Sequence, residues 1–147
     1  MLTRFKKDIL TGYHDCIKND RYGDWRLFEN VNHIDLERIE HLLTETKILN
    51  HEDIAWKGMY LPEEMVTNEC ICCGGLSYLE CNIKYPCIVL NNAINPHNKK
   101  YRLIDGKHRM AKMRQLGMTS SKFFVLELNN LPSESFINRY VRIERCK

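Results

Sequence analysis

No apolar run in this 147-residue chain approaches the roughly 18 or more residues a membrane-spanning helix needs, so no membrane partner is expected. A large excess of charge of one sign is also lacking. The formal net charge is +3, with Lys and Arg spread along the chain, which is compatible with a polyanionic ligand but does not by itself indicate nucleic acid. The opening MLTRFKKDILTGYHDC lacks the apolar centre of a signal peptide, so a cytoplasmic location is expected. There is no internal repeat or low-complexity tract. None of the six histidines (His14, His33, His41, His51, His97 and His108) forms an i, i+4 metal-binding pair, and no metal ligands are assigned.

The remaining composition is that of a globular protein. Hydrophobic residues make up 44% and charged residues 28%, and the length fits one domain, residues 1–147, with a single core. Cysteine is plentiful at seven, an odd count that speaks against a disulfide framework in a reducing compartment. Cys70, Cys72, Cys73, Cys81 and Cys87 crowd into one central segment. Cys70 and Cys73 form a C-x-x-C followed by Gly74 and Gly75, like a knuckle turn, but Cys81 and Cys87 have five residues between them. Structural Zn²⁺ is therefore the lesser reading, and free, partly buried thiols the greater.

Residues 1–22 have apolar positions at helical spacing, and 24–31 (DWRLFENV) reads as a strand with Trp25 packed. Asp35 is a ready N-cap for LERIEHLLTET, where Leu36, Ile39, Leu42 and Leu43 predict an amphipathic helix. From about 50 to 84 the pattern is irregular and reads as a Cys-rich insertion or binding loop, with a short helix at 62–66 and Trp56 either packed or lining a pocket. PCIVLNN then predicts a buried strand, NAINPHNKK a hairpin turn and KYRLID its partner strand. HRMAKMRQL predicts a helix ended by Gly117, with Met110, Met113 and Leu116 as its packed face. SKFFVLEL is the strongest strand signal. Ser133 would cap a terminal helix, ESFINRYVRIER, whose Arg139, Arg142 and Arg145 form a basic, most simply solvated, face. The order predicts an α+β fold: a small mixed β-sheet with flanking helices.

The chemistry concentrates where the strand ending at Ile104 turns through Asp105 and Gly106 into a helix. The first backbone N–H groups of a helix have no partners within it, and its macrodipole favours an anion there. Gly106 lets a ligand approach the backbone. Lys107, His108 and Arg109 add donors, and three basic residues in a first turn oppose the dipole unless an anion offsets them. Asp105 would cap the helix, orient His108 or hold a nucleotide-bound metal. On these residues alone, a solvated turn capped by Asp105 stays open beside a phosphate site.

IDGKHRMAKMRQLG resembles the ParB/sulfiredoxin-like superfamily, whose members share a strand, an Asp-Gly-x-His/Arg-Arg turn and a helix, many reading like IDGHHRLAAAKRLG. Looser similarity covers 24–128: LERIEHLL matches the early helix, PCIVLNN and KYRLID the hairpin, and FFVLEL the strand after the motif. Residues 50–84 have no counterpart. The family includes nucleotide-dependent DNA-partition proteins, sulfiredoxins, a free-serine kinase and proteins described as nucleases. The resemblance implies that Gly106, Lys107, His108 and Arg109 contact nucleotide phosphates, and that Asp105 matches the family's acidic residue. Lys107 stands where sulfiredoxins carry their catalytic Cys, which argues against sulfinic-acid reduction. The chain after the last strand is too short for the helix-turn-helix of partition proteins, and Asn138-Arg139 only faintly echoes their Glu-Asn-x-x-Arg signature.

The expectation is thus a ParB/sulfiredoxin-like domain binding a nucleoside triphosphate (ATP or CTP, with Mg²⁺) or another phosphorylated ligand. As an enzyme it would be a phosphohydrolase, phosphotransferase or nuclease, with Asp105 and His108 catalytic. The alternatives are a non-catalytic nucleotide- or DNA-associated module and a zinc-stabilised interaction protein. His97, in the hairpin turn, either approaches the motif or faces solvent. Glu37 and Glu40 either supply a base or form a solvated face. The oligomeric state is not legible.

Overall fold

A computed structural model describes Leu27, residues 33–56, Met59 and residues 82–137. Its strands are β1 (His33–Ile34), β2 (Thr46–Asn50), β3 (Ile54–Ala55), β4 (Cys87–Asn91), β5 (Tyr101–Asp105), β6 (Ser120–Glu127) and β7 (Phe136–Ile137), and α1 (Lys107–Gln115) lies between β5 and β6. Five strands form a mixed sheet in the order β2-β6-β4-β5-β3, while β1 and β7 pair separately as an antiparallel ribbon. The fold is α+β.

Side chains alternate across the sheet because successive Cβ atoms point to opposite faces. One face contributes Ile88, Leu90, Phe124 and Leu126, covered by Ile34, Ile39, Leu43 and Leu131. The other contributes Cys87, Val89 and Phe123, covered by Met110, Ala111 and Met113 of α1 together with Trp56 and Met59. The central strand β4 is therefore apolar over its first four residues, Cys87 to Leu90, all of them buried.

The hairpin of β4 and β5, α1 and β6 form where the sequence predicts them, and β6 returns parallel to β4. Asn95 organises the hairpin loop: its Nδ2 donates to the Ala93 and Lys99 carbonyls, and its Oδ1 accepts from the His97 and Lys99 amides. Gly117, at φ +78°, closes α1, with Gly117 N–H donating to Arg114 O and Met118 N–H to Met113 O. This reversal corrects one expectation. Leu116 is 63% exposed, and Met118 takes its place against the helix-side core.

Two helical expectations are also corrected. Residues 36–42 form two 3₁₀ turns, Leu36–Arg38 and Glu40–Leu42, and the following TET runs into β2. Asp35 does accept from the Glu37 N–H, at 3.3 Å, and the predicted apolar face is packed, so the cap and burial pattern hold while the helix type differs. Likewise Ser133–Ser135 is a single 3₁₀ turn that leads into β7. Tethering by the Asp35 N–H to Ser135 O, and by the ribbon, fixes both segments in shapes shorter than an α-helix. The expected irregular segment at 50–84 also contains β3, which pairs parallel with β5. The predicted helices at 1–22 and 62–66 and the basic face at 139–145 fall outside the described residues, as do Trp25 and most of the strand at 24–31.

Candidate functional site

The turn at 105–109 sits where β5 leaves the sheet and α1 begins. Gly106 occupies the N-cap at φ 112° and ψ 24°, the left-handed region that glycine adopts without a steric penalty. As glycine it supplies no capping side chain, and the first turn of α1 contains no acidic residue. The first helical hydrogen bond runs from the Met110 N–H to Gly106 O, at 2.8 Å. Lys107 and His108 are half-buried at this end of the helix.

Asp105 and Arg109 are joined by an ion pair of 2.6 Å between Arg109 Nη2 and Asp105 Oδ2, with side-chain exposures of only 9% and 10%. Their i, i+4 spacing places one partner before Gly106 and the other one helical turn after it, so the bond arches across the turn. Burial disfavours the charge on Arg109, but the Asp105 carboxylate and Cys87 outweigh it and hold the guanidinium above its ordinary pKa. Arg109 Nε is also buried, without a hydrogen-bond partner among the described residues.

Cys87, at the start of β4, lies beneath the turn. It is 1% exposed, and its Sγ donates to Gly106 O at 3.8 Å. A Cβ on Gly106 would collide with Cys87 Sγ, lie 2.9 Å from Cys87 Cβ and come within 3.0 Å of Arg109 Nη2. Sulfur and guanidinium thus crowd the same place beside the turn, where a side chain on Gly106 would begin. The pattern of the sequence placed Cys87 in a core strand but gave no sign of its role here. The signal available was the small, polarisable residue heading β4, whose strand pairs with the one that carries the turn.

The other candidates are not drawn to this place. His97 lies in the loop of the β4–β5 hairpin, at the opposite end from Asp105, whose strand partner is Ile88. Glu37 and Glu40 lie on turns that pack against the sheet face opposite α1. Trp56 is 2% exposed within the α1-side core and is a packing residue. Met110 and Met113, each 1% exposed, form the packed face of α1 as expected. Cys70, Cys72, Cys73 and Cys81 lie outside the described residues. Among the described residues no group of three or more His, Cys, Asp or Glu is placed to hold a metal ion, and no helix is long and apolar enough to cross a membrane.

Chemically, the turn offers backbone donors at a helix N-terminus, two half-buried basic side chains and a buried ion pair behind them. No protein-family model, curated protein or solved structure matches this chain.

Proposed function

We propose that the protein binds a phosphate group, that of a nucleotide such as ATP or CTP in the first instance, on the turn at 105–109. The observation that carries this reading is the concentration of basic residues at the N-terminus of α1. The N-cap is a glycine with no side chain, the first turn lacks any acidic residue, and Lys107, His108 and Arg109 follow it. Arg109 is balanced by Asp105, while Lys107 and His108 bring donors to the end of the helix that is already positive. A bound anion is favoured there by the dipole, by the first N–H groups of α1 and by those donors together. The resemblance of IDGKHRMAKMRQLG to the ParB/sulfiredoxin-like superfamily supports a nucleotide as the source of that phosphate.

Within this reading the backbone N–H groups of the first turn, with Lys107 and His108, contact phosphoryl oxygens. If a reaction follows, whether phosphohydrolase, phosphotransferase or nuclease, His108 is the residue able to carry a proton to or from them. Asp105 fits a Mg²⁺ ligand poorly, because its carboxylate is 10% exposed and already bound by Arg109. That engagement favours binding over chemistry and makes a nucleotide-sensing or nucleic-acid-associated module the second reading.

A thermal-shift series with ATP, CTP, GTP and inorganic phosphate, with and without Mg²⁺, tests the site. Stabilisation of wild type that is lost in Lys107→Ala/His108→Ala supports it. No stabilisation by any of these ligands, or equal stabilisation of the variant, removes it. Release of phosphate or nicking of DNA, abolished in His108→Ala, would place an enzyme here instead of a binding module.

A further inference from the structure

Arg109 occupies the first turn of a helix, where the dipole disfavours a basic residue, and its side chain faces inward. Its side chain is 9% exposed, and its terminal nitrogen is bound to Asp105 at 2.6 Å. We propose that Arg109 is a positioning residue: with Asp105 and Cys87 it forms a buried clamp that holds Gly106 in its left-handed conformation and so aims the first N–H groups of α1. The phosphate is taken by those N–H groups with Lys107 and His108, and not by the Arg109 guanidinium. This assignment deepens the phosphate reading of the turn and rests on it for the ligand, while the clamp stands on its own contacts.

Three contacts meet at one residue. The ion pair bridges Gly106 from the residue before it to the residue three after it. Cys87 Sγ reaches Gly106 O at 3.8 Å. Cys87 and Arg109 together fill the volume where a side chain on Gly106 would begin, with Cys87 Cβ at 2.9 Å and Arg109 Nη2 at 3.0 Å from it. The Cβ side of Gly106 is thereby closed, and the peptide that follows it is the first of α1.

Recruitment of Arg109 by a ligand would be self-defeating. Asp105 takes one donor of the guanidinium, and with the side chain only 9% exposed the others lie in the interior. An external phosphate therefore meets Arg109 only if the side chain is drawn outward and the pair opened. Removing one partner of a buried pair is far more costly than never having formed the pair. Arg109 Nε, buried and without an acceptor among the described residues, shows how little else in its surroundings is built to hold the charge. The guanidinium also meets its carboxylate at a fixed, planar end, which an ammonium group does not reproduce.

Nuclear magnetic resonance on the ¹⁵N-labelled full chain separates the two claims. Without ligand, the Nε–H of Arg109 should exchange slowly. Replacing Asp105 by Asn should accelerate exchange at that group and at the Gly106 and Lys107 amides by at least about tenfold, as a local opening would. Titration with inorganic phosphate and then ATP should move the Gly106, Lys107 and His108 amide signals and leave the Arg109 Nε–H in place. A shift of Arg109 Nε–H as large as those of the amides makes it a direct ligand and overturns the proposal. Fast exchange of Arg109 Nε–H in the wild type overturns the clamp. If no signal moves on titration the phosphate reading falls, and the exchange arm alone decides the clamp. The wild-type measurements need no variant, so unfolding of Asp105→Asn would not remove the decision.

Discussion

The sulfur of Cys87 lies where the first side-chain carbon of any residue other than glycine at position 106 would have to go. The two residues are far apart in sequence, one heading β4 and the other following β5, and they meet at the turn. Gly106→Ala should therefore be costly twice over, through the left-handed backbone at φ 112° and through the collision with sulfur. A loss of about 2–4 kcal/mol in urea unfolding is expected from strain and overpacking together. Removing the sulfur in Gly106→Ala/Cys87→Ala should recover part of the loss. A neutral Gly106→Ala would contradict the geometry of the turn.

The ion pair between Arg109 and Asp105 should behave as a unit. Asp105→Asn or Arg109→Met alone leaves a buried charge without its partner and should cost about 3–5 kcal/mol. The pair replaced together by apolar residues, Asp105→Leu/Arg109→Met, should cost much less than the sum of the single changes. Additive single and double losses, read from denaturant midpoints, would show that the two side chains act independently.

His51 makes stability fall on acidification. Its Nε2 lies 2.8 Å from Ser121 Oγ and its ring meets Phe123 edge-on, with burial holding its pKa below the ordinary 6.5. In the unfolded chain the imidazole takes up a proton near pH 6.5, whereas the folded chain resists until lower pH. The stability contributed by neutral His51 is thus present above that value and declines as pH falls through it toward the folded pKa. His51→Gln should flatten this part of the pH–stability curve; an unchanged slope would assign the effect elsewhere.

Asn95 joins both sides of the β4–β5 hairpin loop through four hydrogen bonds and is 7% exposed. Asn95→Ala should cost about 2 kcal/mol, because it leaves carbonyls and amides of the loop without partners. Since the loop lies at the far end of the hairpin from Asp105, phosphate affinity should not change. Loss of affinity in a folded Asn95→Ala would mean that the two ends of the hairpin are coupled.

The parts of the fold legible in the sequence are those where local pattern and tertiary burial agree. CIVL is apolar throughout because β4 is central and covered on both faces, and Gly117 marks the end of α1 because only its backbone turns left there. Misreadings arose where one pattern serves two shapes. Leu36, Ile39, Leu42 and Leu43 fall on one side of an α-helix and equally on one side of two successive 3₁₀ turns, and tethering to Ser135 selects the latter. TKILN shows no clean alternation because β2 is an edge strand with Ile48 71% exposed, and β3 is only two residues long. At the site, the sequence predicts the turn, its glycine and its basic residues. It could not show that Arg109 turns inward to Asp105, because the burial that encloses the pair comes from packing between distant parts of the chain.

Calorimetric titration of ATP and CTP into the wild-type chain and into Lys107→Ala/His108→Ala bears most directly on the phosphate site at the start of α1. Saturable binding by the wild type is expected, weakened at least about tenfold in the double variant and reduced as salt screens the charges. Absence of binding by the wild type, or equal affinity in the variant with its fold intact, would contradict a phosphate site on this turn.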